Sequence, residues 1–148
     1  MENLAMFCNQ CEQTAKGEGC VKAGVCGKDA NVAALQDLLI YALQGLSVVA
    51  VDARKAGITD KTGDVFTVKA LFSTLTNVDF DPARFVELIA KCAALRDALA
   101  DKAKKSGVAI DQKTAAVTFK PQSTVDALVA QAAIASLKAD ANANADIE

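Results

Sequence analysis

The sequence predicts an all-α fold: a small antiparallel bundle of three to four helices with a cysteine-rich loop at its N-terminus. Three observations carry that prediction. The chain is 52% hydrophobic but only 5% aromatic and has no Trp, a mixture that suits helices packed over small side chains better than a β-sandwich. From residue 31 onward, apolar residues recur every three or four positions. In residues 1–30 that periodicity is missing, and Gly17, Gly19, Gly24 and Gly27 are interleaved with Cys8, Cys11, Cys20 and Cys26, the pattern of a loop wrapped around something. At 148 residues the chain suits a single domain able to bury its own core.

The first helix starts at Asp29 or Asn31, either of which is a good N-cap. Its stripe is Val32, Leu35, Leu39, Ala42, Leu46 and Val49, with Gly57 as the stop. A second helix is expected over 63–76, capped by Thr62 or Asp64 and ended by Asn77. Val65, Val68, Leu71 or Phe72, and Leu75 would form its inner face. The third has Asp81 as cap and Pro82 at its first position, then Phe85, Leu88, Cys92, Leu95 and Leu99 in one stripe as far as Gly107. Between 108 and 121 the period changes. VAI and AVTF there read as a short hairpin or a connecting loop, closed by Pro121. A fourth helix runs from Ser123 or Thr124 to Ala139 on Val125, Leu128, Val129, Ala132 and Leu137. The final ADANANADIE is low in complexity, a linker or the start of a further helix. The organisation is therefore 1–30 cysteine loop, 31–139 bundle and 140–148 linker.

Composition narrows the function classes. A net charge of −2 without long runs of one sign gives no reason to expect nucleic acid or an anionic membrane as partner. The apolar stretch LQDLLIYALQGLSVVAV is interrupted by Gln36, Asp37 and Gln44 and reads as too polar to span a bilayer. The opening MENLAMFCNQ has neither the basic start nor the apolar run of a secretory signal, so a cytoplasmic location is expected. There is no His, which removes zinc sites with mixed Cys and His ligands and Ser-His or Cys-His nucleophilic pairs.

The cysteine spacing C-x2-C-x8-C-x5-C leaves three chemistries open. An iron–sulfur cluster is favoured: a cubane is wider than a single ion, so its ligand loops can be longer and less regular, and glycines let backbone N–H groups approach its sulfurs. The N-terminal end of the first helix, just after Cys26, would favour the negative charge. Structural zinc is the alternative, although such sites pair two C-x2-C-like knuckles and only one is present. Disulfides or free thiols come last in a reducing compartment. Cys92 lies on an apolar helical face and reads as a small core residue. Tyr41 reads as a packing residue with its hydroxyl at the surface, and Asp37 as facing solvent. Lys16, Lys22 and Lys28 read chiefly as a solvated loop face, with partial offset of cluster charge as the second reading.

The blocks FCNQCEQTAKGEGC, GVCGK and LQDLLIYALQGLS together resemble the start of the hybrid cluster protein family, also called prismane proteins or hydroxylamine reductases. The likeness is specific from about Met6 to Ser47 and looser beyond. It implies that Cys8, Cys11, Cys20 and Cys26 bind a [4Fe–4S] cluster, the compact spacing resembling the cubane subgroup rather than the [2Fe–2S] one. The family's reactive centre is a hybrid iron–sulfur–oxygen cluster held by His, Glu and Cys ligands later in the chain, and these ligands are absent here. The resemblance thus implies the N-terminal electron-transfer part of a longer oxidoreductase that reduces hydroxylamine to ammonia or nitric oxide to nitrous oxide. The implied partners are a redox donor protein and the later domains of the parent reductase. An apolar face left uncovered would favour a homo-oligomer. The competing reading is a helical interaction or assembly domain with a structural four-cysteine zinc site.

Overall fold

The computed structural model describes residues 6–135. Five helices follow the cysteine loop: α1 (Ala30–Lys55), α2 (Lys61–Ser73), α3 (Pro82–Lys105), the single turn α4 (Ala115–Thr118) and α5 (Val125–Ala132). No strand occurs among the described residues, apart from one isolated antiparallel bridge between Cys8 and Cys20. The all-helical expectation holds.

Helix starts follow short polar caps. Asp29 accepts the Val32 N–H at 2.7 Å, Asp81 accepts that of Ala83 at 2.9 Å, and the Thr124 hydroxyl accepts that of Ala127 at 3.4 Å. Each satisfies a donor that the first helical turn leaves unpaired. The two long helices stop in the same way. Gly57 N–H donates to the Arg54 carbonyl and Ile58 N–H to that of Ala53, while Gly107 and Val108 do the same to Lys104 and Ala103, the double bond of a Schellman cap.

Helix α1 is the centre of the molecule, packing most extensively on α3 and also on α4, α5 and α2. Its expected stripe is buried throughout, and Leu38, Leu43 and Ala53 are buried as well. A helix apolar on nearly all sides belongs inside a protein. This accounts for its hydropathy: contrary to the reading from its polar interruptions, α1 is long and apolar enough to cross a membrane by length and composition. However, 61% of its most apolar window is covered by the rest of the protein.

In α3 the buried set is Phe85, Ile89, Cys92, Ala93, Arg96, Leu99, Ala100 and Ala103. Leu88 and Leu95 are only half-buried, so the inner face is rotated slightly from the expected one. The expectation for α2 fails more completely. Asp60 caps it, through the Thr62 N–H at 3.1 Å, and it stops at Ser73. Its buried residues are Gly63, Phe66 and Ala70, whereas Val65, Val68, Leu71, Phe72 and Leu75 are exposed. Phe66 and Ala70 keep a helical spacing of four, and burying the other apolar side would require a neighbour there.

Of the two alternatives expected for the segment 108–121, the connecting loop is the one found, with no hairpin. It is a connector laid against the bundle that includes the turn α4. Ile110, Ala116 and Val117 are buried, and the Phe119 ring meets Tyr41 edge-on at 5.5 Å. The Arg96 guanidinium, 1% exposed, donates to the Ala116 carbonyl at 3.2 Å and to Asp97 at 2.8–2.9 Å. Gly45 makes this approach possible, since a Cβ there would lie 2.1 Å from the Ala116 carbonyl oxygen. Helix α5 ends at Ala132; Leu137 and Ala139, and the linker 140–148, lie outside the described residues.

Candidate functional site

The loop begins at Met6, which shares a small apolar cluster with Cys20 and with Ala33 on the first turn of α1. This cluster is separate from the main core and docks the loop on the N-terminal end of α1. Across the Cys8–Cys20 bridge the two residues exchange both backbone bonds, Cys8 N–H to the Cys20 carbonyl at 3.1 Å and the reverse at 2.8 Å. Directly opposed residues put their side chains on one side of the ladder. The two thiols are therefore co-facial, and both are free.

Two of the sulfurs, those of Cys20 and Cys8, face hydrogen-bond donors. Cys20 Sγ accepts the Ala15 N–H at 3.4 Å and has the Thr14 hydroxyl at 3.7 Å, the same hydroxyl lying 3.0 Å from the Cys8 carbonyl. The Ala15 N–H, then the Val25 N–H and the Thr14 hydroxyl, lower the Cys20 thiol below its ordinary range against an opposing effect of burial. Cys11 lies one turn beyond Cys8, its carbonyl accepting the Thr14 N–H at 3.1 Å. Cys8, Cys11 and Cys26 are half-buried.

Residues 24–28 turn the chain into α1. Gly24 N–H donates to the Lys28 carbonyl at 2.7 Å. A Cβ on Gly24 would meet Cys26 Sγ and Lys28 Cβ, each at 3.0 Å, so glycine lets this turn close around both side chains.

Lys28 corrects the reading of a solvated lysine face. It is 2% exposed, and its Nζ lies 3.6 Å from Cys8 Sγ and 3.1 Å from Gln10 Oε1. Lys16 and Lys22 are exposed as expected. The available signal was position: Lys28 immediately precedes the Asp29 cap, where a side chain folds back over the start of the helix. Thr14 was also missed, since a threonine in a cysteine-rich loop has no distinctive spacing.

Cys92 stands apart, fully buried in the main core, its thiol pushed up to about 12 by burial. Asp37 is exposed, although crowding raises its carboxyl above the ordinary range against the pull of the Lys28 charge. Among the described residues, no group of three or more His, Cys, Asp or Glu side chains is arranged around a single metal-ion position. The loop thus presents four free thiols, inward N–H groups and a buried ammonium group, a donor set suited to anionic sulfur ligands.

Comparison with known proteins gives this arrangement a context. Residues 6–147 match the family model described as Prismane/CO dehydrogenase family. The chain is 54% identical over 142 residues to the hydroxylamine reductase of Syntrophobacter fumaroxidans, covering 96% of this chain and 26% of that protein. It is 51% identical over 135 residues to that of Methanocella arvoryzae, covering 91% and 25%. To that of Thermoanaerobacter pseudethanolicus it is 38% identical over 137 residues, again covering 91% and 25%. The chain spans about a quarter of the length of these relatives. The loop and helices just described match that quarter almost from end to end, and the chain belongs to the Prismane/CO dehydrogenase family.

Proposed function

We propose that this chain is the N-terminal electron-transfer module of a hydroxylamine reductase. Cys8, Cys11, Cys20 and Cys26 would hold a [4Fe–4S] cluster. The observation that carries the reading is the donor set: four free thiols in one loop, with the Ala15 N–H on Cys20 and the Lys28 ammonium on Cys8. Donors aimed at sulfur favour the thiolate form that ligation requires. When bound, an iron–sulfur cluster supplies one-electron storage and transfer.

The chain's own residues hold and shield. The bridge keeps Cys8 and Cys20 co-facial, Met6 and Ala33 seat the loop on α1, and Lys28 places positive charge beside Cys8. Reduction of hydroxylamine to ammonia, or of nitric oxide to nitrous oxide, would belong to the complete protein and its hybrid cluster, whose ligands this sequence does not contain. On this reading a cytoplasmic redox donor protein meets the loop. The exposed apolar side of α2 is then the surface available to later domains of the parent reductase or to a second copy.

The test is the metal and sulfide content of protein prepared without oxygen. About four irons and four acid-labile sulfides per chain, with a broad absorbance near about 400 nm, are expected. Serine at any of the four cysteines should lower both contents. A colourless protein holding one zinc ion would instead make this a helical assembly domain with a structural metal. Cluster content unchanged by the serine substitutions would also overturn the assignment.

A further inference from the structure

Among the described residues, Lys28 is the one Lys, Arg, Asp or Glu of the loop that is buried, and its surroundings are unusual for a basic side chain. Its Nζ has two hydrogen-bonding neighbours, the thiol sulfur of Cys8 at 3.6 Å and the amide oxygen of Gln10 at 3.1 Å. Among the described residues, no carboxylate lies within ion-pairing distance. Asp37 on α1 is close enough to feel its charge but does not pair with it. The neighbouring Asp29 is committed to the Val32 N–H as the helix cap. Buried charges are ordinarily paired, because an isolated one loses its hydration without compensation. Arg96, the other buried cation among the described residues, follows that rule through Asp97. Lys28 does not, and of its two hydrogen-bonding neighbours among the described residues the one able to carry negative charge is the sulfur of Cys8.

We infer that Lys28 is the built-in countercharge of the loop: a buried basic side chain whose counter-anion would be the thiolate-ligated cluster held through Cys8. The inference rests on the cluster reading above and adds a residue-level role to it. Lys28 is here a positioning and tuning residue rather than a ligand. Electrons added to the cluster increase its negative charge, so a fixed positive charge 3.6 Å from one ligand sulfur favours the reduced state. Its effect is strong because the surroundings exclude water. Gln10 and the Gly24–Lys28 turn hold the ammonium in place, and Gly24 permits the close packing of Lys28 against Cys26. The arrangement also predicts a reversal of sign. In the metal-free chain the same cation is uncompensated, so removing it costs the fold nothing. In the loaded chain its removal strips the cluster of its partner.

The experiment uses the full chain loaded with iron and sulfide without oxygen, as parent, Lys28→Gln, Lys28→Met and Lys28→Arg. In Lys28→Gln the cluster's midpoint potential should fall by about 59 mV, a tenfold change in the one-electron equilibrium, and iron should pass faster to a chelator. Lys28→Arg should stay near the parent in both. Lys28→Met, which keeps the apolar stem, should lower the thermal midpoint of the loaded chain. It should leave that of the metal-free chain unchanged or raised. An unmoved potential in Lys28→Gln, equal shifts in the Gln and Arg variants, or an equal loss of thermal stability in loaded and metal-free Lys28→Met would each overturn the inference. A parent chain that takes up no iron and sulfide defeats the cluster reading and this inference together. A parent that loads normally but has a lysine-insensitive potential defeats this one alone.

Discussion

The cysteine loop and the helical bundle are held by different means. The bundle rests on a continuous apolar core in which Leu35, Leu39 and Val49 of α1 meet Phe85, Ile89 and Cys92 of α3 and Leu128 of α5. The loop has a separate small cluster around Met6, Cys20 and Ala33, one β-bridge, and a few bonds to sulfur. Burial supplies most folding free energy, so the bundle is expected to stand alone, whereas the loop needs an added ligand to fix it. The same thiol chemistry therefore has opposite meanings in the two regions. Cys92 is an inert part of the core, whereas Cys8, Cys11 and Cys26 of the loop are half-buried and the sulfurs of Cys8 and Cys20 have donors beside them.

Four experiments can break or sharpen that contrast. The largest effect is expected from stripping metal with a chelator. It should abolish the visible absorbance and raise amide exchange through residues 7–28 while leaving the far-UV circular dichroism of the helices intact. Cooperative loss of helix would show that the two regions are one unit. Next is Gly45→Ala, whose Cβ would fall 2.1 Å from the Ala116 carbonyl oxygen. Overpacking of this kind costs about 1–3 kcal/mol, and denaturant melts should show it without a change in iron per folded chain.

Cys92→Ser is the third. A hydroxyl buried at this core position needs a partner, and lacking one costs about 1–3 kcal/mol. In the native metal-free chain a thiol reagent should also modify Cys8, Cys11 and Cys26 well before Cys92, because burial holds that thiol at about 12. Equal reactivity of all five would contradict the contrast directly. The smallest effect concerns acid. The Asp111 N–H, then Lys55, hold the Asp52 carboxyl below its ordinary range. A carboxylate depressed in the fold adds stability above its unfolded value, about 3.9, and loses it as pH falls through the lower folded value. The thermal midpoint should thus fall with acidification below about pH 4, less steeply in Asp52→Asn, with the loop's exchange pattern unaffected by that substitution.

Much of the bundle was legible because its signals are local. Asp29 and Asp81 cap where a short carboxylate precedes an apolar period, and Gly57 and Gly107 end helices through identical bond pairs. The cysteine spacing was legible for the same reason, and family membership follows from it and its neighbouring blocks. The α2 face was not. Val65, Val68, Leu71 and Leu75 have a good helical period, yet Phe66 and Ala70 are the residues turned inward. Periodicity gives a stripe but not which neighbour is there to cover it. Arg96 and Gly45 were equally hidden, since both are explained by Ala116, which is remote in sequence.

The sequence by itself determined the helical class, where α1 and α3 begin and end, and that four thiols share one loop. Those features depend on backbone caps, short-range periodicity and spacing, all carried by neighbouring residues. Only the tertiary structure decided that Lys28 turns inward to Cys8, that Cys20 gathers the Ala15 N–H and the Thr14 hydroxyl, and that one apolar side of α2 stays uncovered. Each of those depends on which distant segment arrives beside which side chain, and hence on the desolvation and pairing that proximity creates.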